Sequence, residues 1–385
     1  MNDSVKSIFK KEFGTIPEII SYAPGRLEIL GNHTDYNLGF VLSCATDVNT
    51  VVAVSRTNSD MSRVISLDMG DEKSFSINEL AKTNNDGWAA YIKGVVNEIK
   101  KLSNIPLSNF NAVISSTVPL SAGMSSSAAL EVSFAFALGK LFGLKIPKNE
   151  YAQLCLRVEN SYMGLNSGLL DQFSSIFGEK DKLILSDFRD VKVVETITLS
   201  DEYVFIVINS MVKHNLVASD YNLRRKSCEN AVRCIQTKFS NVKSLRDVNL
   251  KMLEDCREII DFVDYRRAMH IVGENERVLS GINALKKREI EEFGRLLYES
   301  HESSIVNFEN SCMELNYLVE LSKTIPGCIG ARLSGGGFGG ISIHLVKKND
   351  AKFYTERICT AFKLQTGIEP QSFCCGVGNG AGFIV

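Results

Sequence analysis

Residues 119–142 read PLSAGMSSSAALEVSFAFALGKLF, a loop of small residues followed by a long apolar segment. The nearly unbroken apolar run that ends at Phe142 is too long for a strand and predicts a buried helix. A small-residue loop that opens onto a helix N-terminus offers free backbone N–H groups and the positive end of the helix dipole, which suit a phosphate group. The alternative is that a serine of the triplet 125–127 only caps an ordinary core helix. The loop lacks the GxxxxGK[ST] pattern of a Walker P-loop, but a hydroxyl such as that of Ser127 can ligate Mg²⁺, which prefers hard oxygen donors.

A second polar segment, residues 23–37, has the sequence APGRLEILGNHTDYN and concentrates Arg, Asn, His and Asp between glycines. A sugar needs such a cluster because each of its hydroxyls both donates and accepts hydrogen bonds. Taken singly, His33 can equally be a structural hydrogen-bonding residue and Asp35 a turn residue.

A third segment, residues 332–340 with the sequence RLSGGGFGG, is too rich in glycine for the interior of a helix or strand. Its backbone must adopt conformations that other residues resist, so it approaches either a ligand or another loop closely. A purely structural tight turn is the alternative.

Composition favours small-molecule chemistry in a soluble protein. The 385 residues are 44% hydrophobic and suffice for two cores, and the formal net charge of -2 speaks against a nucleic-acid partner. The ten cysteines contain no CxxC pair or zinc spacing, which fits free thiols in a reducing compartment. The first 13 residues do not read as a secretory signal, and no apolar run has the length of a membrane span. We therefore expect a cytoplasmic protein with no membrane association.

Hydrophobic periodicity predicts an α+β fold whose composition changes near residue 200. The predicted elements are strands over 19–54 joined by tight turns at Pro24, Gly25, Gly31 and Gly39, an amphipathic helix over 88–101, strands over 110–118, 183–185 and 203–209, helices from 221 to 321, and a strand over 340–346. Strands followed by helices, without strict alternation, favour α+β layers over a doubly wound sheet. We place the domain boundary at 198/199, which gives domains of residues 1–198 and 199–385.

Together the three segments resemble the signature motifs of the galactokinases, within a larger kinase family that also holds homoserine, mevalonate and phosphomevalonate kinases. Residues 23–37 resemble the galactokinase signature, residues 119–130 the ATP loop, and residues 333–340 the third motif. Three further stretches are also similar to galactokinases: VENSYMGLNSGLLDQFSSIFG (158–178), INSMVKHNLVASDYNLRR (208–225) and GRLLYESHESSIVNFENSC (294–312). The resemblance implies a two-domain small-molecule kinase with its active site in the cleft between the domains.

The resemblance also implies roles for individual residues. Asp171 would be the carboxylate that faces the sugar C1 hydroxyl, and Arg26 its basic partner; without the resemblance, a helix N-cap and a structural ion pair would be the simpler interpretations. The remaining matches are the Mg²⁺ ligands Ser127 and Glu159, the sugar contacts Asn32, His33, Asp35, Gly168, Asp171 and Tyr221, and the ATP contacts Trp88, Pro119, Ser121, Ala122, Gly123, Ser125, Ser126, Ser127 and Gly336.

The chain departs from the common galactokinase signature at two positions. Asn32 stands where a glutamate usually precedes His-Thr-Asp, and Leu27-Glu28 replaces the usual Val/Ile-Asn. An amide at position 32 can still hydrogen-bond the C6 hydroxyl of the sugar, but without the charge that strengthens such a bond.

The implied activity is transfer of the γ-phosphoryl group of ATP, with Mg²⁺, to the C1 hydroxyl of galactose, which gives α-galactose 1-phosphate and ADP. One alternative is a kinase for another sugar, such as N-acetylgalactosamine or a pentose. A second is a non-catalytic sugar and ATP sensor, against which Arg26, Asp171 and Glu159 argue. We expect a monomer whose partners are galactose and ATP.

Overall fold

The computed structural model describes residues 2–102, 106–119, 123–213 and 217–384. The predicted ATP contacts Ser121 and Ala122 lie outside these ranges. Among the described residues the fold consists of two mainly antiparallel sheets with helices packed against them, so the α+β prediction is confirmed.

The first sheet is built around one long strand, β2. Its members are β1 (Ile19–Leu30), β2 (Phe40–Arg56), β3 (Ser62–Ser66), β4 (Asp71–Phe75), β5 (Phe110–Ser116), β6 (Lys182–Asp187), β7 (Lys192–Thr198) and β12 (Gly382–Phe383). The strand order is β12-β1-β2-β5-β3-β4, and β6, paired with β7, joins the beginning of β2. Because β12 comes from the far end of the chain, the first sheet takes its strands from both ends of the sequence.

Strand β2 separates two apolar layers because its side chains alternate between the faces of the sheet. Val52 and Val54 belong to the larger core under α2 (Ala89–Leu102), α3 (Ser126–Leu141), α4 (Lys148–Arg157) and α5 (Leu170–Phe177). Val51 and Ala53 face α1 (Asn2–Phe13) on the other side. The helix α3 is buried on nearly all sides, as the apolar run predicts.

The second sheet has the order β11-β8-β10-β9 and is antiparallel throughout. Its strands are β8 (Tyr203–Lys213), β9 (Cys328–Ser334), β10 (Gly339–Lys347) and β11 (Gln371–Cys375). The helices of this half are α6 (Val217–Gln236), α7 (Leu250–Asp255), α8 (Phe262–Lys286), α9 (Ile290–Ser303), α10 (Met313–Ser322) and α11 (Ala351–Thr366).

One apolar core joins the two sheets. Leu27 of β1 and Leu42 of β2 pack in the same cluster as Phe205 of β8, Ile343 of β10 and Phe293 of α9. The halves of the chain therefore share buried surface.

The expectation of short strands with a turn at Pro24-Gly25 is wrong. Strand β1 continues through both residues, and its pairing with β2 shifts register between Pro24 and Arg26. A bulge of this kind bends a strand without ending it, and an apolar pattern alone does not distinguish it from a turn.

Candidate active site

A cavity of about 370 Å³ brings together four separated parts of the sequence. It is lined by Arg26, Glu28, Asn32, His33 and Asp35 of the 23–37 segment, by Gly164, Leu165, Asn166, Ser167, Gly168, Leu170 and Asp171, by Tyr221 and Asn222, and by Gly335 and Gly336. All six residues predicted to contact the sugar therefore line the same cavity.

Asp171 lies at the wall of this cavity, in the first turn of α5, where the helix dipole favours a negative charge. Arg26 Nε donates to Asp171 Oδ1 at 2.8 Å, and Ser125 Oγ donates to Asp171 Oδ2 at 2.5 Å. Arg26 Nη1 also donates to the carbonyl of Gly123 at 2.6 Å. The Asp171 side chain is 29% exposed and that of Arg26 only 7%, so the carboxylate is accessible while its partner is held in place.

The ATP-loop segment lies directly against the 23–37 segment. The Arg26 backbone N–H donates to the Met124 carbonyl at 3.2 Å. A Cβ atom on Gly25 would lie 2.6 Å from that same carbonyl oxygen, so the close approach of the two segments requires glycine at position 25.

Helix α8 holds the turn that follows β1. The backbone N–H groups of Gly31 and Asn32 both donate to Glu274 Oε2, at 3.1 and 3.0 Å, and Ser300 Oγ donates to the same oxygen. Burial opposes the charge on Glu274, but Arg277, His270 and Arg332 together outweigh it and hold the pKa of this carboxyl well below its usual range. The sequence analysis missed Glu274, because one glutamate in a long helix carries no local signal.

His33 has both ring nitrogens engaged by the protein. Nε2 lies 3.1 Å from the Gly336 carbonyl and Nδ1 lies 2.9 Å from the Tyr36 hydroxyl. Burial lowers the pKa of His33 to about 3, so the ring is neutral, with its proton on Nε2 toward the carbonyl. The His33 ring also contacts the rings of Tyr221 and Phe308.

Asp35 packs against the chain just before α5. The Leu170 N–H donates to Asp35 Oδ2 at 3.3 Å, and a Cβ atom on Gly168 would lie 1.7 Å from that oxygen. Burial raises the pKa of Asp35 to about 6, and the negative charges of Glu28 and Asp171 add to the shift. Glycine at 168 therefore leaves the space that the Asp35 carboxylate occupies.

Asn32 is completely buried and its side chain is fully used. Nδ2 donates to Glu28 Oε1 and to the Gly335 carbonyl, both at 2.8 Å, while Oδ1 accepts from Asn310 Nδ2 at 2.9 Å. Glu28, absent from the predicted site residues, also lines the cavity and pairs with the buried guanidinium of Arg332 at 3.0 Å. The only sequence feature that could have pointed to Glu28 as a site residue was its departure from the common galactokinase signature.

The serine triplet leads into α3, with Ser125 as the residue before the helix and a left-handed backbone (φ 59°). Ser127 Oγ donates to Glu159 Oε1 at 3.3 Å, and Ser167 Oγ donates to Glu159 Oε2. Glu159 lies in a π-helical turn, Val158–Met163, a local irregularity that often occurs at functional sites. Burial raises the pKa of Glu159, and the charge of Asp171 adds to the shift, so a cation would stabilise this carboxylate.

Two further predicted ATP contacts come from other parts of the chain. Trp88 precedes α2, where its Nε1 donates to Asp71 Oδ2 at 3.0 Å, and it is not among the residues that line the cavity. Gly336 lies at the cavity beside His33, with its carbonyl also accepting from Asn310 Nδ2 at 3.2 Å. Their ATP roles stay predictions.

No group of three or more His, Cys, Asp and Glu side chains in the described residues is placed to hold a metal ion. None of the helices within them is long and apolar enough to cross a membrane.

The fold, and the contact of the ATP-loop segment with the 23–37 segment beside the cavity, define a small-molecule kinase. Residues 90–179 match the family described as GHMP kinases N terminal domain, and residues 282–364 match GHMP kinases C terminal. The crystal structure of the Methanococcus jannaschii mevalonate kinase superposes with a TM-score of 0.64 at 18% identity, over 94% of this chain and 98% of that chain, which shows the shared fold.

More specific matches identify the family. Residues 7–56 match the galactokinase galactose-binding signature. The galactokinase of Glaesserella parasuis serovar 5 (strain SH0165) is 36% identical over 97% of this chain and 96% of its own length, and that of Roseiflexus sp. (strain RS-1) is 36% identical over 98% and 96%. The crystal structure of Lactococcus lactis galactokinase complexed with galactose has a TM-score of 0.94 at 29% identity and covers 100% of both chains. The chain belongs to the galactokinase family.

Proposed function

We propose that this protein transfers the γ-phosphoryl group of ATP to the C1 hydroxyl of galactose and releases α-galactose 1-phosphate and ADP. The observation that carries the proposal is the Asp171 carboxylate, which is held by Arg26 and Ser125 where the cavity meets the N-terminus of α3. Membership of the galactokinase family supports it.

In this mechanism Asp171 accepts the proton of the sugar C1 hydroxyl. The hydroxyl oxygen forms a bond to the γ-phosphorus of ATP, and the bond between that phosphorus and the β,γ-bridging oxygen breaks, which releases ADP. Phosphoryl transfer has a loose transition state, so the protein contributes mainly by positioning the hydroxyl in line and by neutralising charge. Arg26 positions the carboxylate through its hydrogen bond to Oδ1 and would lie near the transferred group, where a guanidinium stabilises phosphoryl oxygens. Its fixed contact with the Gly123 carbonyl ties this position to the ATP loop.

The sugar would occupy the cavity, with Asn32, His33, Asp35, Gly168 and Tyr221 around it. The polar groups there include neutral and charged acceptors as well as hydroxyl donors, as a polyhydroxylated ligand needs. ATP would place its phosphates at the N-terminus of α3, where free backbone N–H groups bind anions. Among the described residues, we assign Pro119, Gly123 and the Ser125–Ser127 triplet to ATP binding. We also assign Trp88 to contact with the adenine, and Gly336 to contact with ATP.

Ser127 and Glu159 would hold Mg²⁺. Their oxygens already meet, and the raised pKa of the buried Glu159 fits a carboxylate that lacks a counter-charge. The ion would neutralise phosphate charge, and the remaining ligands would come from phosphate and water because Mg²⁺ retains several waters.

A coupled ADP-release assay over a panel of free sugars tests the reaction and the substrate together. We expect the highest kcat/KM with galactose. A higher value with N-acetylgalactosamine or a pentose would reassign the substrate, and absence of ADP release with every sugar would leave a sensor as the better interpretation.

We also propose a monomeric, cytoplasmic protein divided into domains at residue 198/199. The ten cysteines, none of which forms a disulfide, suit a reducing compartment. Light scattering coupled to size-exclusion chromatography tests the monomer, since a mass of twice 42.6 kDa would contradict it.

A further inference from the structure

Glu28 and Asn32 form a buried pair at the end of β1 and the start of the following turn. Asn32 Nδ2 donates to Glu28 Oε1 at 2.8 Å, and Arg332 Nη2 donates to the same oxygen at 3.0 Å. Relative to the common galactokinase signature, the chain carries the carboxylate and the amide in exchanged positions. Either of the two side chains could therefore be the one that hydrogen-bonds the sugar.

The Asn32 side chain has little left to offer a ligand. Both of its amide hydrogens and its oxygen are engaged by Glu28, Gly335 and Asn310, and the residue has no exposed surface. A ligand hydroxyl would have to displace one of these partners and leave a buried polar group unpaired, which is unfavourable.

Glu28, in contrast, has one oxygen that no residue in the described ranges contacts by a hydrogen bond. No described residue donates to Oε2, and because this oxygen is not among the buried side-chain atoms that lack a partner, it keeps some exposed surface. Glu28 itself lines the cavity with 3% of its surface exposed. An unpaired carboxylate oxygen at the wall of a cavity is a strong acceptor for a hydroxyl.

The charge on Glu28 is also incompletely compensated by the protein. Burial raises its pKa, and the pull of Arg332 and Arg26 in the other direction does not cancel that effect. A ligand hydroxyl that donates to Oε2 would supply a missing stabilising contact. Arg332, with no exposed surface, holds the other oxygen and so orients the carboxylate.

We propose that Glu28 is a specificity-determining residue that accepts a hydrogen bond from one hydroxyl of the sugar, while Asn32 acts only by holding Glu28 in place. This inference rests on the proposed function, because it presumes that a monosaccharide occupies the cavity.

The test compares galactose with its four analogues that lack the hydroxyl at C2, C3, C4 or C6, using wild-type enzyme and Glu28→Gln. With galactose we expect Glu28→Gln to lower kcat/KM by about 10- to 100-fold, the range for a lost bond to a charged group. With one analogue the two proteins should agree within about 2-fold, because the partner hydroxyl is already absent. An equal penalty with galactose and all four analogues would overturn the proposal, since a purely structural residue acts on every substrate alike.

Two further variants keep the test decisive. Glu98→Gln is the matched control, because Glu98 is also a buried glutamate paired with an arginine, Arg157, but does not line the cavity; it should show no dependence on the analogue. If Glu28→Gln fails to fold, Glu28→Asp keeps a counter-charge for Arg332 and must show the same analogue-specific loss. Wild-type turnover with galactose is measured first, so its absence contradicts the proposed function, whereas turnover with a uniform penalty contradicts only the role of Glu28.

Discussion

Asp171 has two donors, Arg26 and Ser125, fixed on its two carboxylate oxygens. Asp171→Asn keeps the shape of the side chain but removes both the charge and the ability to take a proton. We expect kcat to fall by at least about 10²–10⁴-fold, the usual contribution of a positioned acid–base group, while ATP binding measured by calorimetry persists. Asp190→Asn, an exposed position paired with Lys192, is the control. Near-wild-type turnover by Asp171→Asn would contradict the assignment.

Asp35 gives the protein a specific pH dependence. Its pKa is about 6 in the folded state, above the ordinary aspartate value, so between about pH 4 and 6 the folded protein holds a proton that the unfolded chain has lost. This residue therefore lowers stability as the pH rises through that window. We expect Asp35→Asn to have a higher melting temperature than wild type at pH 8, with a smaller difference at pH 5, and a raised KM for galactose. A difference in melting temperature that is the same at both pH values would show that ionisation of Asp35 is not responsible.

At the scale of elements, helix α8 holds the turn after β1 through Glu274. Glu274→Ala leaves the N–H groups of Gly31 and Asn32 and the guanidinium of Arg277 without their acceptor. We expect a destabilisation of about 3–5 kcal/mol, as when one partner of a buried ion pair is removed, and a rise in the KM for galactose larger than the change in kcat. Chemical unfolding and steady-state kinetics give the two values. Glu276→Ala, on the same helix but exposed, should change neither, and an unaltered KM in Glu274→Ala would remove the positioning role.

The signature segment shows where local pattern and structure diverge. Hydrophobic periodicity located the strands around it, but Pro24 and Gly25 lie inside β1 as a bulge. The reason is tertiary: Gly25 allows the ATP loop to approach within contact of the strand, and a one-dimensional pattern does not contain that neighbour.

At the scale of the whole molecule, the shared core predicts cooperative unfolding. Leu27 is 1% exposed and packs in the cluster that spans both sheets. Leu27→Ala should cost about 2–5 kcal/mol through lost burial and a residual cavity, and calorimetry should still show one transition. Leu364→Ala is the control, because Leu364 is 87% exposed on α11. Two separated transitions in the variant would show that the two halves unfold independently.

The sequence by itself determined the α+β class and the buried helix α3, because these depend on local composition and periodicity. Its resemblance to the galactokinases picked out a set of residues that the structure gathers around the cavity: Asn32, His33, Asp35, Gly168, Asp171 and Tyr221. Only the tertiary structure decided that Glu274 anchors the turn, that Asn32 is fully engaged, and that one oxygen of Glu28 has no donor among the described residues at the cavity wall. The physical reason is that the availability of a polar group depends on which distant residues bond it. Gly335, Asn310 and Arg332, about 280–300 residues away in the chain, are those partners here.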